Sequence, residues 1–418
     1  MVNQENMKII IAGAGIGGLT AALCLYEAGH EVEIFESVKS IKPLGVGINL
    51  LPHSVRILTN LDIDDEIAKT AVETRDLVYA NKFGQVFWKE PRGRFAGYKW
   101  PQFSVHRGEL QMLLYDEVLQ RLGSDAIKTQ HHLLSYVEYE DGIIANFIDR
   151  ETGDLQAQVE GDILIGADGI NSVVRQHLYP QEGEVKYSGN VLYRGTTLMK
   201  PFLNGASMVM IGHLRQKMVV YPIQHELNAQ GLQLVNWVAN LKEADDYQLK
   251  VRDWNRQADK QRLLDIYQSW NFDWLDVPAM IAGAENIYEF PMSDRDPLPR
   301  WTFRRVTLLG DAAHPMYPIG SNGASQAILD ADALTRALIE EPDWQSALER
   351  YDAERVPATA QVVLQNRQKG PDFIMDLMEE RFPQGFAPDQ IPHDELEGIM
   401  EHYKQIAGFD VKSLNEKI

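Results

Sequence analysis

Residues 9–36 read IIIAGAGIGGLTAALCLYEAGHEVEIFE, a run oily enough to be a membrane anchor, a secretory leader or the cradle of a nucleotide. A membrane-spanning helix needs about 20 apolar residues with few breaks, and this run carries Gly13, Gly15, Gly17, Gly18 and Gly29 together with Glu27 and Glu31. It makes a poor span. A leader opens on basic residues, whereas MVNQENMK sets Glu5 against Lys8. The remaining reading is a βαβ unit: a buried strand from Met7 to Ala12, a helix from Gly17 to Ala28 and a second strand from Glu31 to Glu36. Gly13-Ala14-Gly15-Ile16-Gly17-Gly18 is then G-x-G-x-x-G at a strand-to-helix turn. Gly13 permits the tight turn, Gly15 lets the backbone approach a pyrophosphate, and Gly18 lets helix and strand pack closely. The helix start at Ile16 and Gly17 supplies free N–H groups and a partial positive charge. Glu36, 23 residues after Gly13, is placed to accept from ribose hydroxyls. A Gly-rich turn with no ligand is the bland alternative, and the order strand, glycines, helix, strand, acid argues against it.

The chain has 418 residues, more than one core usually supports, so two domains are expected. Sixty acidic against forty basic residues give a formal charge of −20. That field repels phosphate backbones and anionic lipid surfaces, so neither nucleic acid nor membrane is an expected partner. It leaves room for an anionic small molecule beside a local Arg or Lys. The lone Cys24 offers neither a disulfide nor metal-site spacing and reads as a small buried apolar residue. The protein is expected to be soluble and cytosolic, without a metal.

After the opening unit, Ser54 to Ala71 and Gly108 to Leu122 have helical apolar spacing, and residues 82–103 between them read as hairpin and loop. Short β runs fill residues 126–160, and Asp162 to Ala167 is again a continuous apolar strand. From Tyr187 to Tyr288 longer alternating runs predict an antiparallel sheet with one covered face, interrupted by a helix from about Gln257 to Trp270. Arg305 to Leu309 returns to a short buried strand before a helix from Ala324 to about Ile339. Asp343 to about Glu380 reads as helical with Pro357 near a kink, and the polar tail beyond Phe382 gives no clear signal. The expected architecture is α/β: a Rossmann-like domain interrupted by a β-sheet substrate domain, with C-terminal helices. Its expected divisions are residues 1–186, with β excursions at about 72–106, then 187–290, 291–382 and a tail at 383–418.

Two further motifs narrow the chemistry. GDILIGADGINSVVR (161–175) sets Asp168-Gly169 just after an apolar strand, with Ser172 and Arg175 on the first turn of a following helix. VTLLGDAAHPMYPIGSNGASQAILDADAL (306–334) ends a strand at Gly310-Asp311 and opens a helix at Gly323. Asp311 can accept a hydrogen bond from a polyol hydroxyl, and the N–H groups of Gly320 to Ala324, through Asn322 and Gly323, point along the helix axis. The pyrimidine ring of a flavin suits that position. Taken alone, Asp311 is equally a cap or turn residue.

Together these three motifs resemble the single-component FAD-dependent aromatic hydroxylases, the family of p-hydroxybenzoate and salicylate hydroxylases, over residues 7 to about 367. The resemblance implies that the Gly13–Gly18 turn and Glu36 hold the ADP end of FAD. It implies that the segment around Asp168 lies beside FAD and NAD(P)H, and that residues 310–324 contact ribityl and isoalloxazine. HRGEL (106–110) matches a further family element whose arginine, here Arg107, approaches the flavin; otherwise Arg107 is a helix-entry residue with a solvated head. The stretches LGVGINLLPHSV (44–55, with Gly47), 88–114, LVNWV (234–238), EFPMSDRDPLPRW (289–301) and 308–330 are similar to the phenazine-acting branch of the family, which implies decarboxylative hydroxylation of a phenazine carboxylic acid.

The chain has no second G-x-G-x-x-G, and the resemblance explains why: NAD(P)H visits transiently, and a flavin C4a-hydroperoxide formed with O2 transfers oxygen to the ring. No nucleophilic side chain is then required. His314 is expected to position the turn rather than move a proton, and His213 is expected in a hairpin turn. Lys217 stands four residues before Tyr221-Pro222, where hydroxybenzoate-type relatives often have a histidine, which weakens a substrate needing phenol deprotonation. Tyr193, Arg194, Met208, Tyr221 and Trp237 are candidates to line a pocket between the β insertion and the flavin, with ordinary sheet core as the alternative for each. Met316, Tyr317 and Pro318 on the cofactor loop are further candidates. The competing enzyme reading is a flavin-dependent reductase or saturase without oxygen insertion. A flavin-binding regulator without turnover is the reading from another class, and the intact third motif disfavours it.

Overall fold

The computed structural model describes residues 6–43, 46–243 and 256–416. Its centre is a five-stranded parallel sheet in the order Val306–Leu308, Ile163–Gly166, Lys8–Ala12, Glu31–Phe35, Ile127–Lys128. The strands are solidly apolar because both faces are covered: Ile9, Ile10, Ile11, Leu164 and Ile165 are fully buried. The helices Ile16–Glu27 and Gly323–Glu340 contribute to this core. So does a three-stranded antiparallel sheet of His132–Glu138, Ile143–Ile148 and Leu155–Gly161, through Leu133, Ala145 and Phe147. The expected α/β architecture holds.

A second, seven-stranded sheet runs Ile287–Asp294, Lys186–Met199, Gln233–Lys242, Gln216–Pro222, Ser207–His213, Asp76–Ala80, Val86–Pro91. Its pairings are antiparallel except Ser207–His213 with Asp76–Ala80, which is parallel. The two strands from residues 76–91, within the β stretch expected at about 72–106, extend this sheet. One face of this sheet is covered by the helices Lys260–Tyr267 and Val277–Gly283, which share a core with Val209, Val220, Val235 and Trp237. On the other face Leu77, Tyr79, Met208, Met210, Tyr221 and Ile223 share a core with Ile374, Met375, Met378, Leu396 and Met400.

Three helical expectations change. The segment expected as one helix over 54–71 is two, Pro52–Asn60 and Asp64–Thr70, broken where Asp62 takes φ 58°, a conformation Asp tolerates better than most residues. The long helix from 343 stops at Arg367 because Lys369 and Gly370 adopt φ 80° and 50°; it restarts at Phe373–Arg381. The tail is ordered as helices His393–Ile406 and Val411–Glu416, with Leu396, Met400, Tyr403, Phe409 and Leu414 buried. Among the described residues no helix is long and apolar enough to cross a membrane.

Candidate active site

The three motifs occupy adjacent strand ends. A Cβ placed on Gly13 (φ 109°) would lie 2.4 Å from the Ala167 carbonyl oxygen, so the first turn rests directly on the second motif. A Cβ on Gly17 would lie 2.7 Å from Leu309 Cδ2 and 3.1 Å from Ala327 Cβ, which puts the first helix against the third motif. Arg175 closes the set: 1% exposed, it donates to the carbonyls of Ala312 (3.0 Å) and Ala313 (2.7 Å) and forms a bidentate pair with Glu182. Carboxyl ends of parallel strands are where open α/β sheets bind ligands.

The backbone there fits a flavin dinucleotide. Gly15 is the N-cap of the first helix and provides no side-chain cap, so the N–H groups of its first turn remain free for an anion. A Cβ on Gly15 would meet no atom within 4 Å, whereas one on Gly18 would lie 2.1 Å from the Gly13 carbonyl oxygen. Gly15 therefore borders open space and Gly18 borders packed backbone. Glu36 is fixed beside the turn, accepting from Ala14 N–H (2.8 Å), Ser37 Oγ (3.0 Å) and Val38 N–H (3.0 Å). Gln111 donates to the Ala14 carbonyl (2.8 Å) from the helix Arg107–Leu122. The helix Gly323–Glu340 likewise starts without a side-chain cap, and a Cβ on Gly323 would meet nothing within 4 Å. Ala324 follows in the same first turn.

Asp311 opens onto this cleft, yet surrounding protein pushes its carboxyl above the usual carboxylate range, opposed by the charges of His314 and Arg107. Asp168 spends Oδ2 on Val173 N–H (2.7 Å), while Oδ1 is buried without a partner among the described residues; burial raises this carboxyl too. His314 is a buried strut bonded to Asp330, which also accepts from Gly310 N–H (3.0 Å) and Arg355 Nε (2.7 Å). Burial pushes the Asp330 carboxyl up, but His314 and Arg355 outweigh it and hold it below its ordinary value.

The near face of the large sheet forms the opposite wall. Register aligns Tyr79, Met210, Val219, Val238 and Arg194 across five strands. Val219, Val238 and Arg194 are only partly buried although they lie in mid-sheet, so no layer covers them fully. Met208 and Tyr221 occupy the neighbouring rung with Asn236. Asn236 accepts from Gly47 N–H (2.7 Å), and a Cβ on Gly47 would lie 2.6–2.8 Å from Ile223, Tyr221 and Asn236. Arg107 bears on both walls, since its charge is felt at Asp311 and at Arg194.

Tyr193 and Trp237 do not reach this cleft. Neighbouring residues on a strand point to opposite faces, and Tyr193 turns away from Arg194 to meet Glu243 and Arg262 (2.7 Å each). Trp237 packs under Gly195 and donates to Thr197 Oγ1 (3.1 Å) in the far-face core. Lys217 is held by Asp372 in a buried ion pair. His213 closes the hairpin opposite Gln216.

The cofactor loop is braced by the tail. Met316 packs against the core cluster that holds Leu51, Tyr98 and Tyr403. Tyr317 accepts from Asn366 Nδ2 through its carbonyl (3.1 Å), and burial pushes its hydroxyl up to about 12. Pro318 is exposed. Gly320 takes φ 71°, and its Cβ would lie 2.1 Å from Tyr403 Oη. That hydroxyl accepts from Asn322 Nδ2 (3.0 Å) and donates to Asn366 Oδ1 (2.9 Å). Met208, Met210, Gly320, Ser321, Met400 and Tyr403 border a small cavity where sheet, loop and tail meet. Tyr403→Phe leaves Asn366 Oδ1 without its hydroxyl donor and takes one acceptor from Asn322 Nδ2, so a loss of about 1–3 kcal/mol is expected in urea unfolding. An unchanged midpoint contradicts the bracing role. Gln111, Asn236 and Tyr403, and the carbonyl partners of Arg175, escape sequence reading because the contacts are remote in the chain, although Leu396, Ile399, Met400 and Tyr403 show helical i, i+3, i+4, i+7 spacing.

Comparison with known proteins agrees with this geometry. The chain is 41% identical over 371 residues to phenazine 1,6-dicarboxylic acid hydroxylase PhzS of Lysobacter antibioticus, covering 88% of this chain and 91% of that protein. It is 29% identical to 3-hydroxybenzoate 6-hydroxylase of Polaromonas naphthalenivorans (strain CJ2), covering 88% of each. In fold it is similar to a salicylate hydroxylase substrate complex, with a TM-score of 0.73 at 20% identity over 98% of this chain and 97% of that one. The FAD binding domain family model matches residues 6–366, the span that holds all three converging turns, and the chain belongs to that family as an FAD-dependent monooxygenase.

Proposed function

We propose that the protein hydroxylates an aromatic or heteroaromatic acid, a phenazine- or salicylate-like ring, using NAD(P)H and O2. The observation that carries this reading is the pairing of two uncapped helix starts with a sheet face on which Val219, Val238 and Arg194 are left only partly covered. The similarity to a phenazine dicarboxylic acid hydroxylase supports the fused-ring class.

In this reading Gly13, Gly15, Ile16, Gly17 and Gly18 receive the pyrophosphate on free N–H groups, and Glu36 takes ribose hydroxyls. Arg107, Asp311, Gly320, Asn322, Gly323 and Ala324 surround the flavin end. Asp168 borders it, and Gly47 lets backbone come close between cofactor and sheet. When bound, FAD supplies reduction by NAD(P)H and activation of O2 for an electron-rich ring. The chain's own part is to hold the ring against Met208, Met210, Val219 and Tyr221 and to keep water from the reacting atoms. We also place the cofactor domain in residues 1–186 and 291–382 and the substrate domain in 187–290, with strands 76–91 lent to the latter. The tail at 383–418 closes the loop. We further assign a cytoplasmic enzyme working away from nucleic acid and membranes, a reading supported by the charge of −20 and a single cysteine.

A screen of FAD-loaded protein tests the function. Phenazine carboxylates are expected to accelerate reduced-nicotinamide oxidation, with salicylate-type acids as the next class. Failure of every aromatic acid to do so contradicts the reading.

A further inference from the structure

Arg194 is the cation in this cleft whose charge the protein leaves unanswered. Its Nε is buried without a hydrogen-bond partner among the described residues, and no described carboxylate lies within ion-pair distance of it. Its guanidinium stands 5.5 Å over the Phe290 ring, and Arg107, of the same sign, also acts on it. Burial pushes the guanidinium below its ordinary value, and Arg107 adds to the shift. Elsewhere the buried arginines are answered: Arg175 by Glu182, Arg355 by Asp330, and Arg305 by the carbonyls of Asp162 and Glu140. Arg194 as a whole is only partly buried, but a guanidinium whose Nε is desolvated and which has no counter-ion among the described residues is costly, and that arrangement suits a site where a ligand supplies the counter-charge.

Position limits what that is. Arg194 stands on a rung beside Val238, Val219 and Met210, an apolar row of roughly 10 Å at the usual strand spacing, with Tyr288 on its other side. A flat ring lying on those side chains brings an edge substituent to the guanidinium. A planar carboxylate matches the guanidinium fork.

Resting on the hydroxylase reading above, we propose that Arg194 is the specificity residue that anchors the carboxylate of the aromatic acid and sets which edge of the ring faces the flavin. Arg107, on the cofactor side, adds positive potential to the same end.

The test uses FAD-loaded protein titrated with phenazine-1-carboxylate and with phenazine-1-carboxamide, each followed by perturbation of the flavin absorbance. The native protein is expected to prefer the acid by about 10- to 100-fold. Arg194→Met is expected to bring the two affinities within about threefold of each other while flavin content and amide affinity stay as they were, and Arg194→Lys to restore part of the preference. Retention of the full acid preference by Arg194→Met overturns the proposal. Loss of FAD in place of acid preference also overturns it, because Arg194 then serves the cofactor. If neither compound perturbs the flavin of the native protein, the fused-ring reading fails and this inference with it.

Discussion

Gly15→Val is expected to leave the protein folded and strip it of FAD. Gly15 has φ −73°, a conformation valine adopts, and a Cβ there meets no protein atom within 4 Å. The added atoms therefore enter the space where the backbone has to approach the pyrophosphate. Losing two charge-assisted contacts of about 1.5–3 kcal/mol each weakens FAD binding by at least about 100-fold. The check is the flavin-to-protein ratio after purification, read beside the thermal midpoint without added FAD. Gly18→Val is the contrast: its Cβ would lie 2.1 Å from the Gly13 carbonyl oxygen, so the first strand and helix have to separate and the fold itself fails. A Gly15→Val protein that keeps its yellow colour contradicts this reading of the turn.

Asp330→Ala is expected to cost about 3–5 kcal/mol. Asp330 is 0% exposed and answers Arg355, itself 5% exposed, as well as His314 and the Gly310 amide. Removing the carboxylate leaves a guanidinium buried without its counter-ion and frees the turn that presents Asp311. Urea unfolding measures the loss. The sign of the pH dependence follows from the depressed carboxyl. Its folded value lies below its unfolded value of about 3.9, so its contribution is whole above that pH and fades as pH falls further. The gap between native protein and variant should hold steady from pH 5 upward and narrow below about pH 4. A gap that widens in acid contradicts the assignment.

The cofactor turns are legible in the sequence because they are built from backbone. Gly13, Gly17, Gly18 and Gly320 stand where a Cβ would strike a neighbour, and Gly15 and Gly323 where it would fill open space. The strand ends that carry them are continuous apolar runs. What holds the turns in place is less legible, because the struts come from elsewhere in the chain. Gln111 reaches a carbonyl 97 residues away and Asn236 an amide 189 residues away, and nothing in NWV marks the asparagine as a clasp for Gly47. The pocket candidates divide for a related reason. Alternation separates Tyr193 from Arg194, but which of them turns into the core with Trp237 is set by Lys260–Tyr267 and Val277–Gly283, which pack there from later in the chain. The helix breaks at Asp62 and Lys369 turn on left-handed backbone at residues other than glycine, which helical periodicity does not register.

Mass spectrometry of the product formed by FAD-loaded protein, reduced nicotinamide and phenazine-1,6-dicarboxylate under ¹⁸O2 tests the central claim most directly. One ¹⁸O atom in each product molecule is the expected result, and the product mass also states whether a carboxylate has left. Reduced-nicotinamide consumption that yields a product free of ¹⁸O contradicts the account and points to a reductase built on the same three turns.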